Sequence, residues 1–176
     1  KNTYLPLISV LLPIYNAAPY LQESIDSILK QTYQQLEIVM IEDGSTDASW
    51  TIVQQLAAQD HRIRLFQNEE NLGLIRTLNH GLEYCKGEYI ARMDADDIAH
   101  PERLERQYYA LQDNPNCRFC GTAYHFFPKR QSPALSQLQQ LEFQQQYLRP
   151  RALFYAPMAH SCFFAEARFY QSFRNS

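Results

Sequence analysis

The sequence predicts an α/β fold, a doubly wound and mostly parallel sheet with helices on both faces. Short apolar runs rich in β-branched residues alternate along the chain with segments whose apolar residues recur at helical spacing. The stretches between successive runs are too long for hairpin turns, so they predict crossover helices and parallel strands. Ligands of such sheets lie beyond the carboxyl ends of the strands.

The first three strands are predicted over Leu7–Pro13, Leu36–Ile41 and Ile63–Phe66. Each is short and apolar, as expected for strands that are covered on both faces. A helix follows each strand, because apolar residues recur there three or four positions apart. The helical stripes consist of Leu21, Ile25, Ile28 and Leu29, then Trp50, Val53 and Ala57, then Leu74, Leu78 and Leu82.

The second half of the chain begins with a fourth strand that opens at Tyr89. A helix follows, with His100-Pro101 at its start. The alternation is completed by a fifth strand over 118–124. From Phe126 the alternation ends, and we predict a helix over 136–148 and a strand over 161–165.

Bulk properties restrict the class of protein. At 176 residues the chain is long enough for one well-buried domain. Its formal net charge of −3 disfavours binding driven by phosphate contacts, so no nucleic-acid partner is expected. No apolar run reaches the length of a membrane span, and we predict a cytoplasmic protein. Cys117 and Cys120 form a Cys-x-x-Cys pair, which is half of a zinc signature. Because no second pair of ligands completes a tetrahedral site, we expect free, reduced cysteines.

Three carboxylates, Asp94, Asp96 and Asp97, follow the fourth strand. On an extended chain Asp94 and Asp96 would point the same way, roughly 6–7 Å apart. Their repulsion would be about 2–3 kcal/mol at an effective dielectric near 20, so the pair would need a cation or open solvent. One interpretation is a site for Mg²⁺ or Mn²⁺, which prefer oxygen ligands. The other is a solvated acidic loop that caps the next helix.

The placement of other polar residues favours the functional interpretation. Asn16, Asp43 and Asp96 each follow the carboxyl end of a predicted strand. Because parallel strands end at the same edge of a sheet, we expect these residues to converge there although they are far apart in sequence.

Three segments resemble glycosyltransferase family 2, whose members are inverting enzymes with the GT-A fold, a Rossmann-like nucleotide-binding fold. The segments are Val10–Ala17, Ile41–Asp47 and Tyr89–Ile98, the last followed by Pro101–Glu105. Asn71-x-Gly73 and Asn79-x-Gly81 also fit the family. The resemblance covers nearly all of residues 7–125. It implies a nucleotide-sugar donor subdomain over 1–125 and the start of an acceptor-side subdomain, incomplete, over 126–176.

The resemblance implies roles for residues that follow the first three strands. Pro13, Tyr15 and Asn16 would line the nucleotide pocket, although Tyr15 could instead shield the edge of the sheet. Asp43 would accept a hydrogen bond from the base, as suits uracil, or could cap the second helix. Glu42 is expected to be structural. Arg76 would reach the base or diphosphate, or would simply be exposed on its helix.

The acidic segment receives the other implied roles. Asp94 would bind ribose, and Asp96 would coordinate a Mg²⁺ or Mn²⁺ ion that neutralises the diphosphate. Asp97 would brace the following helix. His160 would contact the diphosphate or the metal, or would be a buried histidine bonded to the backbone.

The general base that an inverting transfer needs is not evident. Glu102, Glu105, Asp113 and Glu142 belong to predicted helices or their ends, and Glu166 lacks the acidic context that the family has there. We therefore expect the base to lie beyond Ser176.

The predicted function is a metal-dependent glycosyltransferase that moves a sugar from a nucleotide-diphosphate donor, with a UDP-sugar favoured, to a glycan or lipid-linked acceptor. Peripheral association with the inner face of the membrane would accompany a lipid-linked acceptor. The alternatives are a non-catalytic nucleotide-sugar-binding module and a sugar-nucleotide pyrophosphorylase. The pyrophosphorylase would need a glycine-rich loop after the first strand, where Pro13-Ile14-Tyr15-Asn16 stands instead.

Overall fold

The fold is given by a computed structural model that describes residues 4–122 and 162–174. Its strands are β1 (Ile8–Ile14), β2 (Leu36–Glu42), β3 (Ile63–Gln67), β4 (Tyr89–Arg92), β5 (Phe119–Cys120) and β6 (Phe164–Glu166). Its helices are α1 (Leu21–Leu29), α2 (Ser49–Gln59), α3 (Leu74–Tyr84), α4 (Arg103–Gln112) and α5 (Ala167–Arg174). The predicted helix over 136–148 lies outside the described residues. Within those residues, no helix combines the length and the apolar character needed to cross a bilayer.

The six strands form one sheet in the order β3-β2-β1-β4-β6-β5. β1 pairs in parallel with both β2 and β4, and β2 pairs in parallel with β3. β6 is antiparallel to both of its neighbours, so β5 again runs in the direction of β4. The predicted mostly parallel sheet is confirmed. The insertion of β6 between β4 and β5 is the feature that the alternation of elements did not indicate.

The core lies on both faces of the sheet because the side chains of β1 alternate. Ile8, Val10, Leu12 and Ile14 pack with apolar residues of α1, α2 and α4. Leu11 points to the opposite face and packs in a cluster that includes residues of α3 and α5. Burying each such side chain contributes about 1.5–3 kcal/mol relative to leaving it exposed. The predicted helices on both faces are therefore confirmed.

The inner face of α3 keeps part of the predicted leucine stripe, because Leu78 and Leu82 pack against the core cluster that contains Leu11. Thr77 and Gly81 are the buried residues of α3, while Leu74 is 47% exposed. A Cβ at Gly81 would lie 2.9 Å from Ile41 Cγ1, closer than packed side chains allow. Small residues therefore let α3 lie close to the sheet.

A buried carboxylate holds the amino-terminal edge of the sheet together. Glu37 accepts hydrogen bonds from Ser9 Oγ at 2.6 Å, from the Lys86 amide at 2.7 Å and from Arg64 Nη1 at 2.8 Å. Burial opposes ionisation of this carboxyl group, but the three donors outweigh it and hold its pKa below the usual value. The network therefore joins β1, β2, β3 and the turn before β4.

We predict that Glu37→Gln lowers the free energy of unfolding by about 3 kcal/mol, because it leaves the Arg64 guanidinium without its carboxylate. Urea denaturation at neutral pH would measure the loss, with Glu69→Gln, an exposed site, as the matched control.

The pH dependence gives a second check on the same variant. Since the pKa of Glu37 is lowered on folding, its stabilisation is complete above the ordinary value of 4.5 and is lost as the pH falls through the folded pKa. The difference in the free energy of unfolding between the parent and Glu37→Gln should therefore shrink as the pH falls. A difference that stays constant from neutral pH to the acid transition would contradict this account.

Candidate functional site

A cleft of about 350 Å³ opens at the carboxyl edge of the sheet. It lies where the strand order changes direction, since β2 and β3 lie on one side of β1 and β4 on the other. In open α/β sheets this switch point is where ligands bind. The loops after β1, β2 and β4 and the start of α3 form its walls.

The loop after β1 is bound to the loop after β2 by hydrogen bonds. The amides of Asn16, Ala17 and Ala18 donate to Ser45 Oγ, Ser49 Oγ and Asp47 Oδ2, respectively. Asn16 adopts a left-handed conformation with φ of 50°, which asparagine tolerates better than most residues. Its side-chain oxygen accepts from the Thr46 amide at 2.8 Å. These bonds fix the wall of the cleft that carries Tyr15 and Asn16.

The turn after β2 depends on Glu42 and Gly44. The Glu42 carboxylate accepts hydrogen bonds from the amides of Gly44 and Ser45 and from the Gln67 side chain, so the predicted structural role fits. Gly44 has φ of 69°, and a Cβ there would lie 2.8 Å from the Asn71 nitrogen. Glycine is therefore needed both for the backbone conformation and for the close approach of the next loop.

Asp43 is directed toward the start of α3. Its Oδ1 accepts from Asn68 Nδ2 at 2.7 Å and from the Leu72 amide at 2.9 Å, and its Oδ2 accepts from the Gly73 amide at 3.0 Å. Burial opposes its ionisation, but these donors together with Thr77 hold the pKa of Asp43 below its usual range. The suggestion that Asp43 caps α2 is wrong, because the Ser49 amide donates to Asp47 instead.

The acidic segment does not continue the strand. β4 ends at Arg92, and the Asp97 amide donates to the Asp94 carbonyl, which closes a turn. The expectation of an extended chain through Asp94 and Asp96 is therefore wrong. Both residues nevertheless line the cleft, and Asp97 is not among the residues that do.

Asp94 is paired with an arginine that sequence reasoning missed. The buried Arg92 guanidinium forms a two-pronged ion pair with its carboxylate. Burial nevertheless raises the pKa of Asp94. The charge of Arg92 opposes this shift, whereas the charges of Asp97 and Asp96 raise the pKa further. The acidic turn thus carries more negative charge than its arginine neutralises. No strand periodicity indicates this pair, because β4 ends at Arg92 and Asp94 lies in the turn that follows.

The structure brings most of the predicted site residues to one cleft. Pro13, Tyr15, Asn16, Asp43, Asp94 and Asp96 all line it. Arg76 is exposed on α3 and is not among the lining residues, while His160 lies outside the described residues. Among the described residues, no group of three or more His, Cys, Asp or Glu side chains is arranged to hold a metal ion.

Several lining residues were not singled out as site residues. These are Ile14, Ala17, Tyr20, Asn71, Gly73, Leu74, Ala95 and Thr77. Asn71 and Gly73 belong to the Asn-x-Gly motif noted in the sequence. The motif lies beside the cleft because the amides of Leu72 and Gly73 donate hydrogen bonds to Asp43, which no local pattern indicates. Leu74 could not be assigned to the cleft from its helical spacing, which indicated the core.

Among the other acids considered for the general base, Glu142 lies outside the described residues, and the others do not line the cleft. Glu166 pairs with Tyr89 at the amino end of β4, away from the cleft, and forms an ion pair with Arg168. On α4, Glu102 pairs with Arg106, and Glu105 accepts a hydrogen bond from Thr32. None of these carboxylates lines the cleft. The location of the base beyond Ser176 stays a prediction.

Comparison with known proteins identifies sequence and structural relatives. The family model described as "Glycosyl transferase family 2" matches residues 9–170. An uncharacterized glycosyltransferase of Haemophilus influenzae is 45% identical over 117 residues, which are 66% of this chain and 36% of that protein. The chain spans 36%, 40% and 44% of the length of three such curated relatives.

Two solved structures show the same fold. The mannosyltransferase PcManGT of Pyrobaculum calidifontis, in complex with GDP-Man and Mn²⁺, superposes with a TM-score of 0.73 at 23% identity, over 99% of this chain and 48% of that one. S. aureus TarS residues 1–349, in complex with UDP, superposes with a TM-score of 0.71 at 21% identity, over 95% and 48% of the two chains.

Two substitutions at Asn16 separate backbone strain from hydrogen bonding. Asn16→Gly should lower the free energy of unfolding by about 1 kcal/mol, because it removes the acceptor for the Thr46 amide. Asn16→Ala should cost about 1 kcal/mol more, since alanine adopts the left-handed conformation less readily. Urea denaturation of both variants would measure the difference, and equal stabilities would show that the positive φ is not maintained in solution.

Proposed function

Because this chain belongs to glycosyl transferase family 2, we propose that it binds a nucleoside diphosphate sugar in the cleft and transfers the sugar to an acceptor with inversion. The observation that carries this proposal is the convergence of Asp43, Asp94 and Asp96 at the switch point of the sheet. The chain spans less than half of several relatives, so the acceptor and the complete reaction belong to the whole protein.

The nucleoside half of the donor is assigned to the walls formed by the first three loops. Tyr15 is 51% exposed beside Pro13, so its ring is free to stack on a base or ribose. Asn68 and the Leu72 amide donate to Oδ1 of Asp43 and the Gly73 amide donates to Oδ2, which leaves acceptor capacity on Oδ2 for an N–H of the base. Uracil offers such a donor, and we therefore favour a UDP-sugar. The two solved structures described above hold UDP, a nucleoside diphosphate, and GDP-Man, a nucleoside diphosphate sugar.

The acidic turn fits a divalent cation. Asp94 and Asp96 offer oxygen ligands at the cleft. Burial raises the pKa of Asp94, and the charges of Asp97 and Asp96 raise it further although Arg92 opposes the shift, so a nearby cation would relieve this repulsion. Mg²⁺ is commonly held by one or two carboxylates together with substrate phosphates, so a set of three protein ligands is not required. We assign Asp96 as the coordinating residue and Asp94 to the ribose. When bound, the cation would neutralise charge on the diphosphate as it leaves.

We assign the remaining steps to groups outside the cleft. The acceptor hydroxyl needs a base within hydrogen-bond reach, and the acids considered for this role in the described part of the chain do not line the cleft. His160 is kept as a proposed contact to the diphosphate or metal. We propose a glycan or lipid-linked acceptor, with peripheral membrane association in the lipid-linked case. A chain that binds donor without hydrolysing or transferring it, even when extended, would instead be a nucleotide-sugar-binding module.

Asp96→Asn should abolish the gain in UDP affinity that Mn²⁺ gives to the parent, because the amide removes the charge that holds the cation. Calorimetry with and without Mn²⁺ would measure it. Asp113→Asn, an exposed substitution at the end of α4, is the control for the loss of one charge. Equal Mn²⁺ effects in the parent and in Asp96→Asn would refute the assignment.

Asp43→Asn should weaken UDP binding about tenfold or more, whether or not Mn²⁺ is present, since one amide nitrogen would face backbone donors that the carboxylate now satisfies. The same calorimetric titrations would test this, with circular dichroism to confirm that the variant folds. If the affinity of a folded Asp43→Asn variant matched that of the parent, Asp43 would have only a structural role.

A further inference from the structure

A line of hydrogen bonds runs from Asp43 away from the cleft and along α3. The Asn68 amide nitrogen donates to Asp43 Oδ1 at 2.7 Å and to Thr77 Oγ1 at 3.1 Å. His80 Nδ1 lies 2.7 Å from Asn68 Oδ1, and the Tyr84 hydroxyl lies 3.0 Å from His80 Nε2. Asp43 and Asn68 are 3% and 4% exposed, so water does not readily replace these partners.

The chemistry of Asp43 sets the direction of every bond in this line. An ionised carboxylate only accepts hydrogen bonds, so Asn68 must turn its NH₂ group toward Asp43. The Asn68 carbonyl oxygen then faces His80, whose Nδ1 must carry a proton. In the neutral ring Nε2 is consequently an acceptor for the Tyr84 hydroxyl. The protonated ring would keep the Nδ1 donor, so the bond to Asn68 exists in both charge states.

We propose that His80 is a positioning residue for Asp43, acting through the side-chain amide of Asn68. The proposal rests on the proposed function, because it concerns the residue assigned to the base. His80 is not among the residues that line the cleft, so it acts on Asp43 without touching the donor. By satisfying Asn68 Oδ1 it prevents the amide from turning its oxygen toward the Asp43 carboxylate.

The consequence extends to the loop before α3. Asp43 also accepts from the amides of Leu72 and Gly73, so an Asn68 side chain in the wrong orientation would displace the carboxylate from these donors. We therefore expect His80 to affect both the affinity for UDP and the protection of these two amides against hydrogen exchange. The exchange measurement does not require a ligand.

Three variants separate the two ring nitrogens. His80→Leu removes both, whereas His80→Asn keeps an N–H donor near the position of Nδ1. Tyr84→Phe removes only the partner of Nε2. Asn79→Ala changes an exposed residue on the same helix and serves as the control. Circular dichroism and thermal unfolding would establish that each variant folds.

In His80→Leu, UDP affinity measured by calorimetry should fall about three- to tenfold, and hydrogen exchange of the Leu72 and Gly73 amides should accelerate. The UDP affinities of His80→Asn and of Tyr84→Phe should stay within about twofold of the affinity of the parent. Nitrogen-15 NMR of the parent should show His80 protonated at Nδ1. A neutral ring protonated at Nε2, or a folded His80→Leu variant with parental affinity and exchange, would overturn the proposal.

These measurements also separate this inference from the proposed function. A parent chain that binds no UDP would refute the proposed function, while ring protonation and amide exchange would still decide whether His80 positions Asp43. If the parent binds UDP, and a folded His80→Leu variant matches it both in UDP affinity and in exchange of the Leu72 and Gly73 amides, the inference alone is refuted.

Discussion

The parallel pairing of β1 with β2 on one side and β4 on the other is the constraint on which the site depends. All seven residues of β1 are buried, so its position is fixed by apolar packing on both faces of the sheet. Three parallel strands therefore end at one edge, and the loops that follow them meet. Asn16, Asp43 and Asp96 converge because hydrophobic burial orders the strands, and not because the polar groups attract one another.

The two halves of the cleft are built in different ways. On the side of Asp43, backbone amides and the Asn68 side chain satisfy a buried carboxylate, and its lowered pKa reflects this. At the acidic turn, Asp94 remains at a raised pKa although Arg92 forms an ion pair with it. The first half would suit the neutral hydrogen-bonding group of the proposed base, whereas the second would gain from the proposed cation. This asymmetry matches the chemistry of a nucleoside diphosphate with its metal.

The sequence was sufficient for the elements that periodicity and burial determine, namely the parallel strands, the helices on both faces and the edge where polar residues meet. It was insufficient where distant contacts decide. A strand was predicted over 161–165 and β6 spans Phe164–Glu166, but its place beside β4 is set by tertiary pairing that no local pattern indicates. On α3, Leu78 and Leu82 pack against the core as their spacing indicates, but Leu74 is exposed. The partners of Asp43 lie in a loop about 25–30 residues farther along the chain, beyond any local pattern.

Paramagnetic broadening by Mn²⁺ in the presence of UDP tests the central claim most directly, because it reports which amides lie near the cation. We expect loss of the amide signals of residues 94–97 and of Tyr15, with the signals of Glu37 and Gly87 at the opposite edge retained. Broadening centred on α4 or on the amino-terminal edge, with the acidic turn unaffected, would contradict a metal and diphosphate site where β1 and β4 diverge.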